Sequence, residues 1–435
     1  MDEAKPAKGG KHEMVVNKIQ RGDHVSDGEA NALDGDRHNV ASAVGTFDGR
    51  PLRVLHVYKT FVPDSVGGLE HAIAQMAVST RRLGIETRVV SLSRQRLPRL
   101  GSYRTATEHY RYKETASVAS NSMSLSLLFD FGRHVEWADV IHYHFPWPFA
   151  DLLHLLWRVH KPSIVTYQSD IVRQRKLMTF YRPLMRAFLS RVDHIVATSP
   201  NYVKTSDVLK DYADKTTVIP IGLDPASYPA TRPDTLARWK QEVGENFFLF
   251  IGVIRYYKGL HILLDALVGT PLPTVIVGSG PIEAELRKHA EEAGLRHVKF
   301  LGTVSDEDKV ALLELCAAVV FPSHLRSEAF GVTLLEGAMF GKPLISSEIG
   351  TGTSYINIDG ETGFVVPASD PGALRTAMLR LANDPDLRKR MGAAARRRFD
   401  ERFTAERMAA RYVEIYRNLV EQAAIHGVAA SRTAG

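Results

Sequence analysis

Short apolar runs closed by Gly, Pro, Ser or Asp recur along the chain, with amphipathic helical stretches between them. Leu52, Val54, Leu55 and Val57 form the first, in "PLRVLHVYKTFVP". A run this short between turn-formers predicts a buried strand. The pair Gly67–Gly68 then opens "LEHAIAQMAVSTRRLG", where Ile73, Met76, Ala77 and Leu83 share one helical face, and "ETRVVSLS" follows. Strand, glycine turn, helix, strand is the unit of a parallel sheet covered by helices.

The rhythm continues through "ADVIHYHF", "PSIVTYQSD", "HIVATSP" and "TTVIPIGLD". After the polar interval "RPDTLARWKQEVGEN" it restarts with "FFLFIGVIRYYKG", "TVIVGSG", "VKFLG", "AAVVFPS", "KPLISSE" and "TGFVVP". The fold class is therefore α/β. Two tandem Rossmann-like doubly wound domains, residues 51–222 and 223–405, face a cleft at the carboxyl ends of their strands. Residues 1–50 are rich in Gly, Asp, Lys, Asn and His without periodicity, and read as a disordered tail. A last helix, residues 406–427, carries Met408, Tyr412, Ile415, Tyr416 and Leu419 on one face. That face is expected to pack back on the first domain.

Composition, 44% hydrophobic and 24% charged, is that of a globular protein. No apolar run is long enough to cross a bilayer, and the first residues lack the apolar core of a secretory signal. A single cysteine, Cys316, excludes an internal disulfide and fits a reducing compartment, so a cytoplasmic protein is expected. The net charge of +6 suggests an anionic partner without choosing among nucleic acid, a phosphorylated small molecule and an acidic membrane surface. With no zinc knuckle, aromatic RNA-binding signature or dense basic run, nucleic acid is not the expected one.

Arg255 and Lys258, in "GVIRYYKG", fall just past a strand end, where two cations can hold a diphosphate or can simply be solvated loop charges. In "SEAFGVTLLEGAMFGKP", Glu328 lies in a loop and Glu336 one turn into a helix. The backbone amides of Phe330, Gly331 and Val332 would point from that helix N-terminus at an anion or at sugar hydroxyls. Either carboxylate could accept a vicinal diol; Glu336 could equally be a dipole-favoured residue near a helix start. Spacing alone does not choose. From Arg173 to Arg191, basic residues (Arg173, Arg175, Lys176, Arg182, Arg186, Arg191) alternate with Leu177, Phe180, Leu184, Phe188 and Leu189. Such a segment suits an anionic membrane or a solvated helix face equally well.

The stretch "SEAFGVTLLEGAMFGKPLISSEIGTGTSYI" closely resembles the glutamate–seven residues–glutamate element of family 4 glycosyltransferases, retaining and metal-independent enzymes of the GT-B fold. "VGG", "HYH", "VIPIGLD", "YYKGLHILLDAL" and "VGSGPIEAEL" match in the same order, so the resemblance spans roughly Leu52 to Tyr416. It implies that Glu336 binds the donor ribose and Glu328 the transferred sugar. Phe330 and Gly331 would offer amides to that sugar, with Val332 beside them, and Arg255 and Lys258 would clamp the diphosphate. Gly67 and Gly68 would approach phosphate and acceptor, and His144 would lie by the reacting sugar while His142 supports its strand. Two positions depart from the pattern. Val253 stands where the family has an arginine, and Gln168 where many relatives carry a histidine, which leaves the acceptor-side roles of Gln168 and Asp170 open.

What the resemblance implies chemically is transfer of a hexose from a nucleotide diphosphate, with no metal and no resident cofactor. The Asp-x-Asp triplet Asp34–Asp36 falls in the tail and is read as incidental. The likeness is greatest to bacterial mannosyltransferases of polysaccharide assembly, implying GDP-mannose as donor and a lipid-linked oligosaccharide or lipopolysaccharide-type acceptor. It also implies a peripheral location at the inner face of the plasma membrane. UDP- or dTDP-sugar transfer, nucleotide-sugar epimerisation and a non-catalytic nucleotide-sugar sensor are the competing readings.

Overall fold

The structure, a computed structural model, describes residues 46–65, 67–94, 100–103, 107–118, 121–170 and 175–433. Most of the expected tail and Arg173 lie outside the described residues, as do the side chains of Arg175, Lys176 and Leu177. The first sheet has strands β1 (Arg53–Val57), β2 (Glu86–Ser93), β3 (Leu100–Tyr103), β4 (Thr107–Lys113), β5 (Val140–Phe145), β6 (Ser163–Tyr167), β7 (His194–Ala197) and β8 (Thr216–Val218). Their order is β8-β7-β6-β5-β1-β2-β4-β3, parallel except for the β3 edge. The second sheet has β9 (Phe248–Ile251), β10 (Thr274–Val277), β11 (Val298–Gly302), β12 (Ala318–Phe321), β13 (Leu344–Glu348) and β14 (Gly363–Pro367). It runs β11-β10-β9-β12-β13-β14 and is parallel throughout. Both have the crossed-over order of a doubly wound sheet.

The helices that frame the site are α1 (Gly68–Arg82), α2 (Leu125–Trp137), α3 (Arg175–Arg191), α4 (Leu260–Leu267), α5 (Asp306–Leu315), α6 (Val332–Met339) and α7 (Ala405–Thr433). Ile73, Met76 and Ala77 of α1 are buried, as their spacing requires. The α7 helix leaves the second domain and returns beneath the first sheet. Its Met408, Tyr412, Val413 and Tyr416 share a core with Leu52, Val54, Val140, Ile164 and Val196. The two crossing segments bond to each other: the Leu223 amide donates to Phe403 O and the Ala405 amide to Leu223 O, both at 2.9 Å. A Cβ on Gly222 would stand 2.3 Å from Thr404 O, so only glycine permits this approach.

Residues 46–50, expected within the tail, are instead ordered. Thr46–Phe47 pairs with Arg50–Pro51 around Asp48–Gly49, whose φ values of 54° and 75° are those of an Asp-Gly hairpin turn. Arg50 holds Asp139 through two bonds of 2.7 and 2.8 Å. Strands β3 and β4 are likewise absent from the sequence reading. "TEHYRYK" buries His109 and Tyr112 through partners, Ser91 Oγ and His134 Nε2, each at 2.7 Å, so no apolar run marks it. Cys316 is a buried thiol, pushed up to about 12 by desolvation. Among the described residues, no helix is long and apolar enough to cross a membrane.

Candidate active site

The loop from β12 to α6 carries the first carboxylate. Lys258 Nζ donates to Glu328 Oε2, and both side chains are about nine-tenths buried at 12% exposure. Lys258 ends a short turn, Tyr256–Lys258, and the next residue, Gly259, takes φ 71° at the start of α4. A Cβ there would lie 2.0 Å from Pro322 O. Glycine thus lets the β9–α4 turn press on the β12–α6 loop, and that contact brings lysine to glutamate. The Lys258 ammonium also sits 4.6 Å from the Phe321 ring centroid.

Glu336 occupies the second turn of α6, with its side chain only 7% exposed. Lys309 Nζ of α5 lies 2.9 Å from its Oε1, and the Tyr228 hydroxyl donates to the same oxygen at 3.0 Å. Burial works against the Lys309 ammonium, but Glu336 and Asp306 hold it above the usual lysine range. At the N-terminus of α6, Gly331 adopts φ 103° and no side chain caps the helix. Its first amides therefore face the loop as anion donors.

The first domain meets this helix end directly. A Cβ on Gly68 would lie 3.6 Å from Val332 Cγ2, so the glycine pair abuts the α6 N-terminus. Gly67 is extended, and the Glu70 carboxylate folds back beneath it; a Cβ there would stand 2.6 Å from Oε2. Thr60 and Ser65 donate to Glu70 Oε1 at 2.7 and 3.0 Å and fix the loop. Arg255 is exposed and pairs with neither site glutamate; its charge acts on Lys59. Burial holds the Lys59 ammonium below the usual lysine range, Glu70 opposing and Arg255 reinforcing the shift.

His144 is buried at the end of β5. Its Nε2 lies 3.1 Å from Nδ1 of His56 on β1. Burial lowers the His144 pKa well below the histidine range, and His56 reinforces the effect. Both imidazoles are neutral, one donating and the other accepting. With His142 they form a group of three whose nitrogens could hold a metal ion. His142, however, already bonds Tyr416 Oη through Nδ1 and Thr166 Oγ1 through Nε2, each at 2.7 Å. The group is a hydrogen-bonded stack rather than an open ligand set.

Asp170 is engaged on every side. Oδ1 accepts from Tyr167 and Ser206 at 2.8 Å each, and Oδ2 faces Arg326 at 3.3 Å. Arg326 comes from the β12–α6 loop and also donates to Thr205 Oγ1 at 2.9 Å. Asp170 thus ties the first domain to the β12–α6 loop, which also carries Glu328. Gln168 is buried. Sequence reasoning missed Lys309, Tyr228, His56, Glu70, Lys59 and Arg326. Of these, Glu70 carried a local signal, a carboxylate one position past the glycine pair and Leu69.

Two facing doubly wound domains, with helix amides and cations gathered at their strand ends, define the GT-B class of nucleotide-sugar transferases. Residues 66–227 match the family described as glycosyltransferase family 4, and residues 232–398 the glycosyl transferases group 1. A D-rhamnosyltransferase of Pseudomonas aeruginosa, WbpZ, is 55% identical over 354 residues, 81% of this chain and 93% of that one. O-antigen chain mannosyltransferase C of Escherichia coli is 50% identical over 372 residues, 85% of this chain and 99% of the relative. The fold is shared with sucrose-phosphate synthase from Thermosynechococcus elongatus at a TM-score of 0.70 and 21% identity, covering 85% of this chain and all of that one. The chain belongs to the family 4 glycosyltransferases and is a hexose-transferring enzyme of the bacterial polysaccharide-assembly type.

Proposed function

We propose that the enzyme transfers mannose from GDP-mannose, with retention at the anomeric carbon, to a growing lipid-linked oligosaccharide or lipopolysaccharide-type acceptor. The observation that carries this reading is the Lys258–Glu328 pair beside the uncapped α6 N-terminus, with Glu336 one turn further. Glu336 takes the ribose hydroxyls and Glu328 the transferred sugar. Phe330 and Gly331 offer amides to that sugar, and Val332 packs beside them. Lys258, Arg255 and the helix amides stabilise the charge that builds on the departing phosphate, without a metal. That phosphate accepts the proton of the acceptor hydroxyl on the face where the sugar leaves. His144, neutral, lies on the acceptor side with Gly67 and Gly68.

The names of the two relatives support a manno-configured sugar, since D-rhamnose is 6-deoxy-D-mannose. The test is a panel of GDP-, UDP-, dTDP- and ADP-sugars scored by thermal stabilisation, because a ligand that binds only the native state raises its melting temperature. GDP-mannose should give the largest shift. A larger shift with a UDP- or dTDP-sugar would overturn the donor assignment.

On the acceptor side we infer contact with an anionic membrane. The support is a set of exposed aromatic and basic residues on two helices of the first domain. Phe180 of α3 is 86% exposed and Phe129 of α2 is 75% exposed, while Arg133, Arg182 and Arg186 lie exposed on the same two helices. Aromatic and basic side chains together suit the interface of an anionic bilayer.

A further inference from the structure

Glu336 presents an asymmetry that its place in the donor site does not require. Both of its side-chain partners, Lys309 Nζ at 2.9 Å and Tyr228 Oη at 3.0 Å, meet the same oxygen, Oε1. Among the described residues no group donates to Oε2. A buried carboxylate needs hydrogen bonds beyond a single ion pair, but these could be shared between its two oxygens. Two donors converging on one oxygen do something else: they occupy its lone pairs and fix the plane of the carboxylate.

Each donor is itself anchored. Lys309 Nζ is tied to Asp306 Oδ1 at 3.2 Å and lies 5.1 Å from the Tyr228 ring centroid. Tyr228 follows the turn Pro225–Ser227 on the crossover between the domains. Gln75 Nε2 of α1 holds Ser227 Oγ at 2.8 Å, and Arg82 holds Asp224 at 2.6 Å. The Tyr228 ring stands edge-on to Phe340 at 6.3 Å. The hydroxyl therefore reaches Glu336 from a backbone held just ahead of Tyr228 and a ring packed against Phe340.

We propose that Lys309 and Tyr228 are positioning residues, which hold Oε1 of Glu336 so that Oε2 is aimed at the ribose diol of the donor. This rests on the reading that Glu336 takes the ribose. A freely rotating carboxylate would lose side-chain freedom on binding, whereas a preset one has already lost it in the folded enzyme.

The experiment compares affinities for GDP and 2′,3′-dideoxy-GDP, with UDP and its dideoxy form in parallel, by calorimetry on the full-length chain. Wild type should bind the ribose form about tenfold or more tightly, the scale of a charged hydrogen bond. Tyr228→Phe removes one hydroxyl and should shrink that ratio several-fold while leaving the dideoxy affinity in place. Lys309→Met should nearly abolish the ratio, and Lys309→Arg should restore part of it. If the Lys309 variants fail to fold, Tyr228→Phe alone decides. Equal losses for ribose and dideoxy forms would mark a merely structural role and overturn the proposal, as would an unchanged ratio in Tyr228→Phe. Absence of any ribose preference in wild type would instead remove the Glu336 reading beneath it, and the proposal with it.

Discussion

Tyr416 and His142 stand 274 positions apart, and the hydroxyl of the first meets Nδ1 of the second at 2.7 Å. Thr166 Oγ1 extends the chain of bonds to His142 Nε2 at 2.7 Å and to Tyr412 Oη at 2.9 Å. The α7 helix is thus fastened under β5 and β6 through polar atoms wholly inside the core. Buried polar groups of this kind are costly to leave unpaired. Tyr416→Phe keeps the ring and strands His142 Nδ1, so it should cost about 1–3 kcal/mol of stability. Urea unfolding at constant m-value measures it, and an unchanged midpoint would refute the account.

Buried histidines of the first domain make stability depend on pH. Burial depresses His56 and His109 to about 3 and His154 to about 4, and lowers His142 and His144 well below the histidine range. Their folded pKa values lie below the unfolded value of about 6.5, so below that pH the unfolded chain binds more protons. Stability should be full above it and fall with acidification, each histidine removing up to about 1.4 kcal/mol per pH unit. Asp151, raised to about 8 by burial, acts the other way, losing stability as pH rises through that value. The histidines outnumber it, so stability should peak near neutrality and drop steeply toward pH 5. Chemical denaturation at three pH values tests the sign.

Lys258 and Glu328 offer a test that separates stability from activity. Lys258→Met leaves a mostly buried carboxylate without its cation, which should cost about 1–3 kcal/mol for a pair that keeps some solvent contact. Adding Glu328→Gln should return most of that stability, because neither member is then charged. Transfer should stay lost in the double variant, since the proposed donor site uses both groups. Recovery of transfer together with stability would show that the pair serves the fold alone.

The legible parts of this molecule are those whose partners lie close in sequence or follow a period. Strand runs, glycine turns and the eight-residue spacing of Glu328 and Glu336 are of that kind. Lys309, Tyr228 and His56 are not: each bonds its site partner across 27, 108 and 88 positions, and no local pattern marks them. Strand β4 escaped because its inward residues include polar rings that are buried by hydrogen bonding rather than by apolarity. The hairpin at Asp48–Gly49 had its turn dipeptide in view, but its strands are two residues each, too short for alternation to register.

Activity should persist in EDTA. The proposed phosphate site uses Lys258, Arg255 and helix amides, whose charge a divalent ion would otherwise supply. The measurement is initial rate with and without chelator, followed by added Mg²⁺ or Mn²⁺. Strict dependence on either ion would count against this arrangement of cations.

Membrane contact, if it occurs through the first domain, should run through Phe129 and Phe180 rather than through charge alone. Two large aromatic rings in water at 75% and 86% exposure gain by entering the headgroup region, and the exposed Arg182 on the helix of Phe180 adds attraction to anionic lipid. That attraction is about 1 kcal/mol per basic residue near the surface, and it is screened by salt. Replacing both phenylalanines by serine should weaken binding to anionic vesicles at any salt concentration. Reversing Arg182 to glutamate should weaken it at low salt and matter less at high salt. Transfer to a lipid-linked acceptor should slow in both variants, while hydrolysis of the donor, whose proposed site lies across the cleft, should not. Vesicle sedimentation that stays at the wild-type level in the folded double serine variant would exclude this face from the membrane and leave the transferase site untouched.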